Sequence, residues 1–216
     1  MRVRRCLTGV ASFCVLAGSL AATRPAATRP STGPATKPDP QHASPERTWA
    51  SICDALKEGD LDRFRAGFYN SSEVSRLFME TYSDVTVATF DLARATAMLG
   101  EKGKHMGAKF ESVYTELVQS GENRKAEVTG DRAKWVHTVK PQKGTPDDVI
   151  YFKKVKGEWL IDTVETYELD TDAGRQAAEK MLESVPPMTT LLKSVAADIR
   201  TGKIKTVEQM QQRLGK

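Results

Sequence analysis

The stretch "RKAEVTGDRAKWVHTVK", Arg124 to Lys140, is where the periodicity of the chain changes. Up to Gly121 the apolar residues recur at helical spacing; beyond it they alternate with polar ones. Gly130-Asp131 interrupts the alternation, so the stretch reads as strand, turn, strand. On the second of these strands Ala133, Trp135, His137 and Val139 share one face, and Lys134, Thr138 and Lys140 fall on the other. The first set is the more apolar and is expected to point inward.

Further along, the loop "PQKGTPDD" leads to "VIYFKKV", a Lys156-Gly157 turn and "EWLIDTVETYE". Glycine in a two-residue loop supplies the positive φ that a hairpin needs. Four sequential, closely linked strands predict an antiparallel meander. In the other direction the chain is helical. "SPERTWASICDALKEGD" offers Ser44 as a cap, Pro45 at the first helical position and Gly59 as a stop. Trp49, Ile52, Cys53 and Leu56 share its apolar face. Asp60 caps a short helix carrying Leu61, Phe64 and Phe68. A long pattern from Val74 to Leu99 ends at Gly100 and Gly103, and another helix is expected from Ala108 to Gln119. The class is therefore α+β.

The tail returns to helical spacing. Ala177, Met181, Leu182 and Val185 precede Pro186-Pro187, and Met188, Leu191, Leu192, Val195 and Ile199 form a second stripe. Thr206 with Gln209 makes a capping box for a last helix bearing Val207, Met210 and Leu214. These stripes must dock on this domain or on a partner.

The amino terminus reads as an export signal. Arg2, Arg4 and Arg5 precede "CLTGVASFCVLAGSLAA", an apolar run too short to span a bilayer, with Ser19 and Ala21 at the small-residue positions of a cleavage site. Cleavage is expected after Ala21, leaving no stable membrane span and a periplasmic or extracellular protein; an uncleaved anchor is the alternative. Residues 22–43 form a Pro/Thr/Ala-rich linker expected to be disordered, since nothing in it can build a core. Residues 44–170 are the α+β domain and 171–216 a helical extension.

The formal charge of +4 falls to about +1 without the export segment, and the linker carries another two positive charges, leaving a domain near −1. Basicity is thus no argument for nucleic acid, and the Lys and Arg pairs are not interleaved with aromatics. Cys53 alone remains after cleavage, so no internal disulfide or cysteine-based metal site is expected. It is read as a buried small hydrophobe. His42 falls in the linker and His105 in the "GEKGKHMGAKF" loop, without metal-ligand spacing. No metal or cofactor is expected.

Helices followed by a meander that closes on "KVKGEWLID" resemble the nuclear-transport-factor-2-like superfamily. The residues that carry the likeness are "ALKEGDLDRF", "VTGDRAKWV" and "FKKVKGEWLID", within roughly 44–168. The resemblance implies a cone in which a curved antiparallel sheet wraps the amino-terminal helices, with any pocket between sheet and long helix. Two features depart from it: four confident strands where the superfamily often has more, and helices beyond the last strand. It implies little about function, since its members include polyketide cyclases, isomerases, dehydratases and noncatalytic binding domains.

Within that frame the candidate pocket residues are Trp135, His137, Tyr82 and Tyr151. An inward imidazole beside an indole can act as acid or base, orient a ligand, or simply be a hydrogen-bonded core histidine. Catalysis needs a second group; Asp84, Asp91 and Asp162 are the carboxylates to consider. Asp84 and Asp91, one heptad apart, read most simply as a solvated helix face, and Asp162 as solvent-facing. No catalytic residue is assigned. "FKKVKGEWLID" reads as structural, with Trp159 and Ile161 anchoring sheet to helices. The favoured reading is an exported, noncatalytic domain that binds a small apolar ligand or a protein partner. An isomerase, dehydratase or cyclase-like enzyme using His137, and a homodimeric assembly module, are the alternatives.

Overall fold

The computed structural model describes residues 40–138 and 149–215, without the side chains at 110, 111 and 113. Residues 1–39, where the export signal and nearly all of the linker are expected, lie outside the described residues, as do Val139, Lys140 and residues 141–148. The architecture is α+β, with helices laid on a five-stranded mixed sheet.

Helix α1 (Pro45–Glu58) begins where Ser44 accepts the Arg47 N–H and stops at Gly59, whose φ of 78° is a left-handed conformation that glycine adopts freely. Asp60 caps α2 (Leu61–Ala66) by accepting the Arg63 N–H. Phe68, expected on that helix, instead belongs to β1 (Phe68–Tyr69), which pairs in parallel with Ile161 and Asp162. Gly67 permits the change. A Cβ there would lie 2.5 Å from Ile52 Cγ1, and its carbonyl accepts the Ile161 N–H. A two-residue strand is invisible to periodicity, because only its distant partner defines it.

Helix α3 (Glu73–Thr96) carries the long apolar stripe, and Ser72 with Ser75 closes a reciprocal cap at its start. Helix α4 (Gly100–Glu122) starts eight residues before the expected Ala108, so His105 is helical rather than in a loop. Gly100 makes the turn at φ 71°, and Gly103 sits so close to Thr96 and Leu99 that no side chain fits. The two glycines therefore let α4 fold back on α3 instead of ending helical structure.

The sheet order is β1, β5 (Glu158–Asp162), β4 (Ile150–Val155), β3 (Arg132–His137), β2 (Arg124–Thr129). The four strands after Gly121 form the expected antiparallel meander; β1 is the addition. Lys156 and Gly157 both have positive φ, 52° and 94°, closing the β4–β5 hairpin. Register places Ala133 opposite Phe152 and Trp135 opposite Ile150, so these four share the face turned toward the helices. With Ile52, Leu56, Phe64, Phe78, Trp159 and Ile161 they make the first core.

After the short α5 (Thr163–Thr166), capped by Asp162, the tail forms α6 (Asp172–Arg200) and α7 (Val207–Arg213). Asp162 is buried, not solvent-facing, because its carboxylate accepts the N–H groups of Val164 and Glu165. Helix α6 runs unbroken through Pro186-Pro187, which the sequence suggested as a boundary. Both prolines are exposed, so water can take up the carbonyls whose donors they remove. Meanwhile Ala178 on one side and Val195 on the other are fully buried.

The tail docks on its own domain. Leu92, Ala95 and Leu99 of α3 form a second core with Val195, Ala196, Ile199, Val207 and Met210. Asp84 and Asp91 are the ion-pair seam of this contact rather than a solvated face. Lys193 Nζ lies 3.2 Å from Asp84, and Arg200 Nη2 lies 2.6 Å from Asp91. Both pairs step seven residues along each helix in the same sense, so α3 and α6 run parallel. The Arg200 hydrogen bonds, opposed by partial burial and aided by Arg94, hold the Asp91 carboxyl below its ordinary range. The stabilisation from this group is therefore complete above about pH 4 and is lost as pH falls through the lowered value. Partial exposure keeps it near 0.5 kcal/mol. Acid unfolding of Arg200→Ala should accordingly lose part of the wild-type stability difference between pH 6 and pH 3; an unchanged difference would show that the pair contributes nothing.

The folded part as described also begins before Ser44. Pro40–His42 form a 3-10 turn in which His42 is buried, its Nδ1 3.4 Å from Thr48 Oγ1. Gln41 Oε1 accepts from Ser51 Oγ and Arg63 Nε. Hydrogen bonds rather than apolar burial hold this turn, which is why composition assigned it to the linker.

Candidate functional site

A half-open cavity of about 340 Å³ lies between the inner sheet face and helices α1 to α4. Its walls follow from the elements just described. Helices α1 and α2 contribute Trp49, Ile52, Leu56 and Phe64; the sheet contributes Phe68, Ile150 and Ile161. Helix α3 supplies Tyr82, Thr86 and Phe90, one face at i, i+4 and i+8, and α4 supplies Glu116, Leu117 and Ser120 at the same kind of spacing. Arg124, Thr166 and Tyr167 complete the lining. The volume is at the small end of the ~300–1,000 Å³ range for ligand sites, and mostly apolar walls with a few polar groups are what such sites have.

Tyr82 is the expected residue that lines the cavity. Its ring lies parallel to Phe78 at 6.1 Å and tilted against Tyr167 at 5.7 Å. Thr86 Oγ1 donates back to the Tyr82 carbonyl, so that hydroxyl is spent on the helix. Trp135 is 1% exposed and stands behind the wall, edge-on to Trp49 at 5.2 Å and to Phe152 at 5.8 Å. His137 is half-buried at the end of β3, on the inward face as its alternation required, but outside the lining residues. Tyr151 is paired with Lys134 across β3 and β4 and faces the other way; the Lys134 ammonium sits 5.8 Å from its ring centre. The four expected residues are thus not one constellation.

Arg124 was not singled out in the sequence, where a charge at a strand start looks ordinary. The β2–β3 register places it directly opposite His137, hence on the inner face. It is 8% exposed, and its Nη1 donates to the Trp135 carbonyl at 3.2 Å. The available signal was alternation: Arg124 and Ala126 have the parity that meets His137 and Trp135 across the hairpin. Glu116 and Ser120 were hidden because a residue facing a cavity and one facing water look alike along a helix.

Cys53 is buried, and burial, aided by the neighbouring Asp54 charge, pushes its thiol up to about 12. It is protonated at neutral pH and inert as a nucleophile. Among the described residues no three His, Cys, Asp or Glu side chains cluster as metal ligands would. No described helix is long and apolar enough to cross a membrane. Compared with known proteins, the chain matches no family model, no curated protein and no solved structure.

Proposed function

We propose that this chain carries an exported, noncatalytic binding domain of the nuclear-transport-factor-2-like cone type, whose cavity takes a small apolar ligand. The observation that carries the reading is the aromatic and aliphatic cavity between sheet and helices. The basic start followed by a short apolar run supports export. Binding is favoured over proton transfer because the lining is chiefly apolar and His137 is not part of it. The polar groups there are suited to orienting a ligand.

The test is titration with phenylnaphthylamine, a neutral apolar fluorophore, followed by fluorescence. Wild-type protein should bind it, and Ser120→Phe, which puts a ring into the cavity from the half-buried α4 wall, should weaken binding at least tenfold while circular dichroism stays unchanged. Absence of binding to the wild type, or equal binding to both proteins, would overturn the reading.

A further inference from the structure

We infer that the β2 edge of the sheet is a self-pairing surface: two copies of this chain join β2 to β2, antiparallel, about a two-fold axis at Ala126. β2 is one margin of the sheet, and among the described residues no strand pairs on its outer side. The opposite margin is the two-residue β1, too short to hold a ladder. Lys125, Glu127, Val128 and Thr129 are all exposed, so β2 meets water along most of its length.

Backbone direction limits the registers. In an antiparallel pair, alternate residues turn their N–H and C=O groups toward each neighbouring strand. The Thr138 N–H donates to the Asn123 carbonyl at 2.8 Å, one step beyond the Arg124–His137 pair. The odd-numbered residues Lys125, Glu127 and Thr129 therefore bond to β3, and Ala126 and Val128 aim their backbone groups outward. Such an edge is a ready template for another strand. A second β2 must set even-numbered residues opposite even-numbered ones.

Charge then selects among these registers. With Ala126 facing the partner's Ala126, Lys125 stands opposite the partner's Glu127, and Glu127 opposite the partner's Lys125. Moving the axis one residue either way sets Lys125 against the partner's Lys125, or Glu127 against the partner's Glu127. Opposite charges across a strand pair stabilise it, and like charges oppose it. A lone lysine would guard the edge against pairing. A glutamate two places on, on the same face, turns that guard into a self-complementary pattern. Within one chain the two side chains lie 3.8 Å apart and are 62% and 55% exposed, a loose contact that offers little competition.

Val128, itself 55% exposed, lies on this strand, and pairing would cover part of it. The contact is isologous, so it closes as a dimer whose remaining sheet margins are the two short β1 strands. A six-residue ladder buries little surface, so the dimer is expected to exchange rapidly with monomer.

The experiment is sedimentation equilibrium of the full chain over a concentration series. Wild-type protein should shift toward twice the monomer mass as concentration rises. Lys125→Glu and Glu127→Lys, each alone, should weaken the association at least about tenfold, because each turns two attractive cross-strand pairs into two repulsive ones. Mixing these two variants, or combining both changes in one chain, should restore it. Both side chains are exposed, so the fold should be unaffected, which circular dichroism checks. A wild type that stays monomeric at every concentration would overturn the inference. So would a dimer insensitive to the single reversals, as expected if the chain associates elsewhere. Single reversals that weaken the dimer without rescue by the mixture or the double variant would overturn the register.

Discussion

Trp135→Ala is expected to cost about 3–5 kcal/mol of folding stability, the range for truncating a large buried aromatic. The side chain is 1% exposed and is the residue where both layers meet, with Trp49 of α1 on one side and Phe152 of β4 on another. Gly121 shows how tight the packing is. A Cβ there would lie 2.5 Å from Trp49 Cδ1 and 3.1 Å from Trp135 Cη2, so α4 cannot move in to fill the void. Equilibrium urea unfolding is the measurement, and a loss below about 1 kcal/mol would mean the site collapses freely. Trp135→Phe should be much milder. The indole N–H of Trp135 is buried with no hydrogen-bond partner among the described residues, so phenylalanine gives up area but also removes an unmet donor.

The second large effect concerns the tail. Val195 is fully buried in the α3–α6 contact, among Leu92, Ala95 and Ile199. Val195→Asp puts a carboxylate there without a partner, a change expected to cost about 4 kcal/mol or more. The loss should be local. The second core has no side chain in common with the first among the described residues, and the pairs Asp84–Lys193 and Asp91–Arg200 are too exposed to hold the helix alone. Amide hydrogen exchange should show the carboxy-terminal half of α6, and α7, losing protection while the β3–β4 amides keep theirs. Retained protection in α6 would show that apolar burial is not what docks the tail. Loss of protection everywhere would show that the two cores unfold as one unit.

How far the sequence could be read depended on the range of the interaction behind each feature. Ser44 with Gly59, Asp60 and Thr206 mark helix ends through contacts a few residues long, and all act as caps in the structure, though the Gln209 side chain accepts the Lys205 N–H rather than the Thr206 N–H of the expected capping box. The Lys156-Gly157 hairpin and the inward parity of Ala133 and Trp135 were legible for the same reason. The candidate site was less so. Tyr82 lines the cavity as expected, but Tyr151 faces away. Its orientation follows from pairing with Lys134, and an isolated strand with alternating partly apolar faces does not say which is inside.

Local pattern was enough for the main helices, the four-strand meander, their caps and turns, and the stripes that had to be buried. What buries them came from packing across the fold. It made Phe68 a strand, carried α6 through two prolines, turned Asp84 and Asp91 into a seam, and brought Arg124 onto a cavity wall. Periodicity reports a side chain's direction relative to its own element, whereas a partner across the fold is supplied by residues as many as 114 positions away.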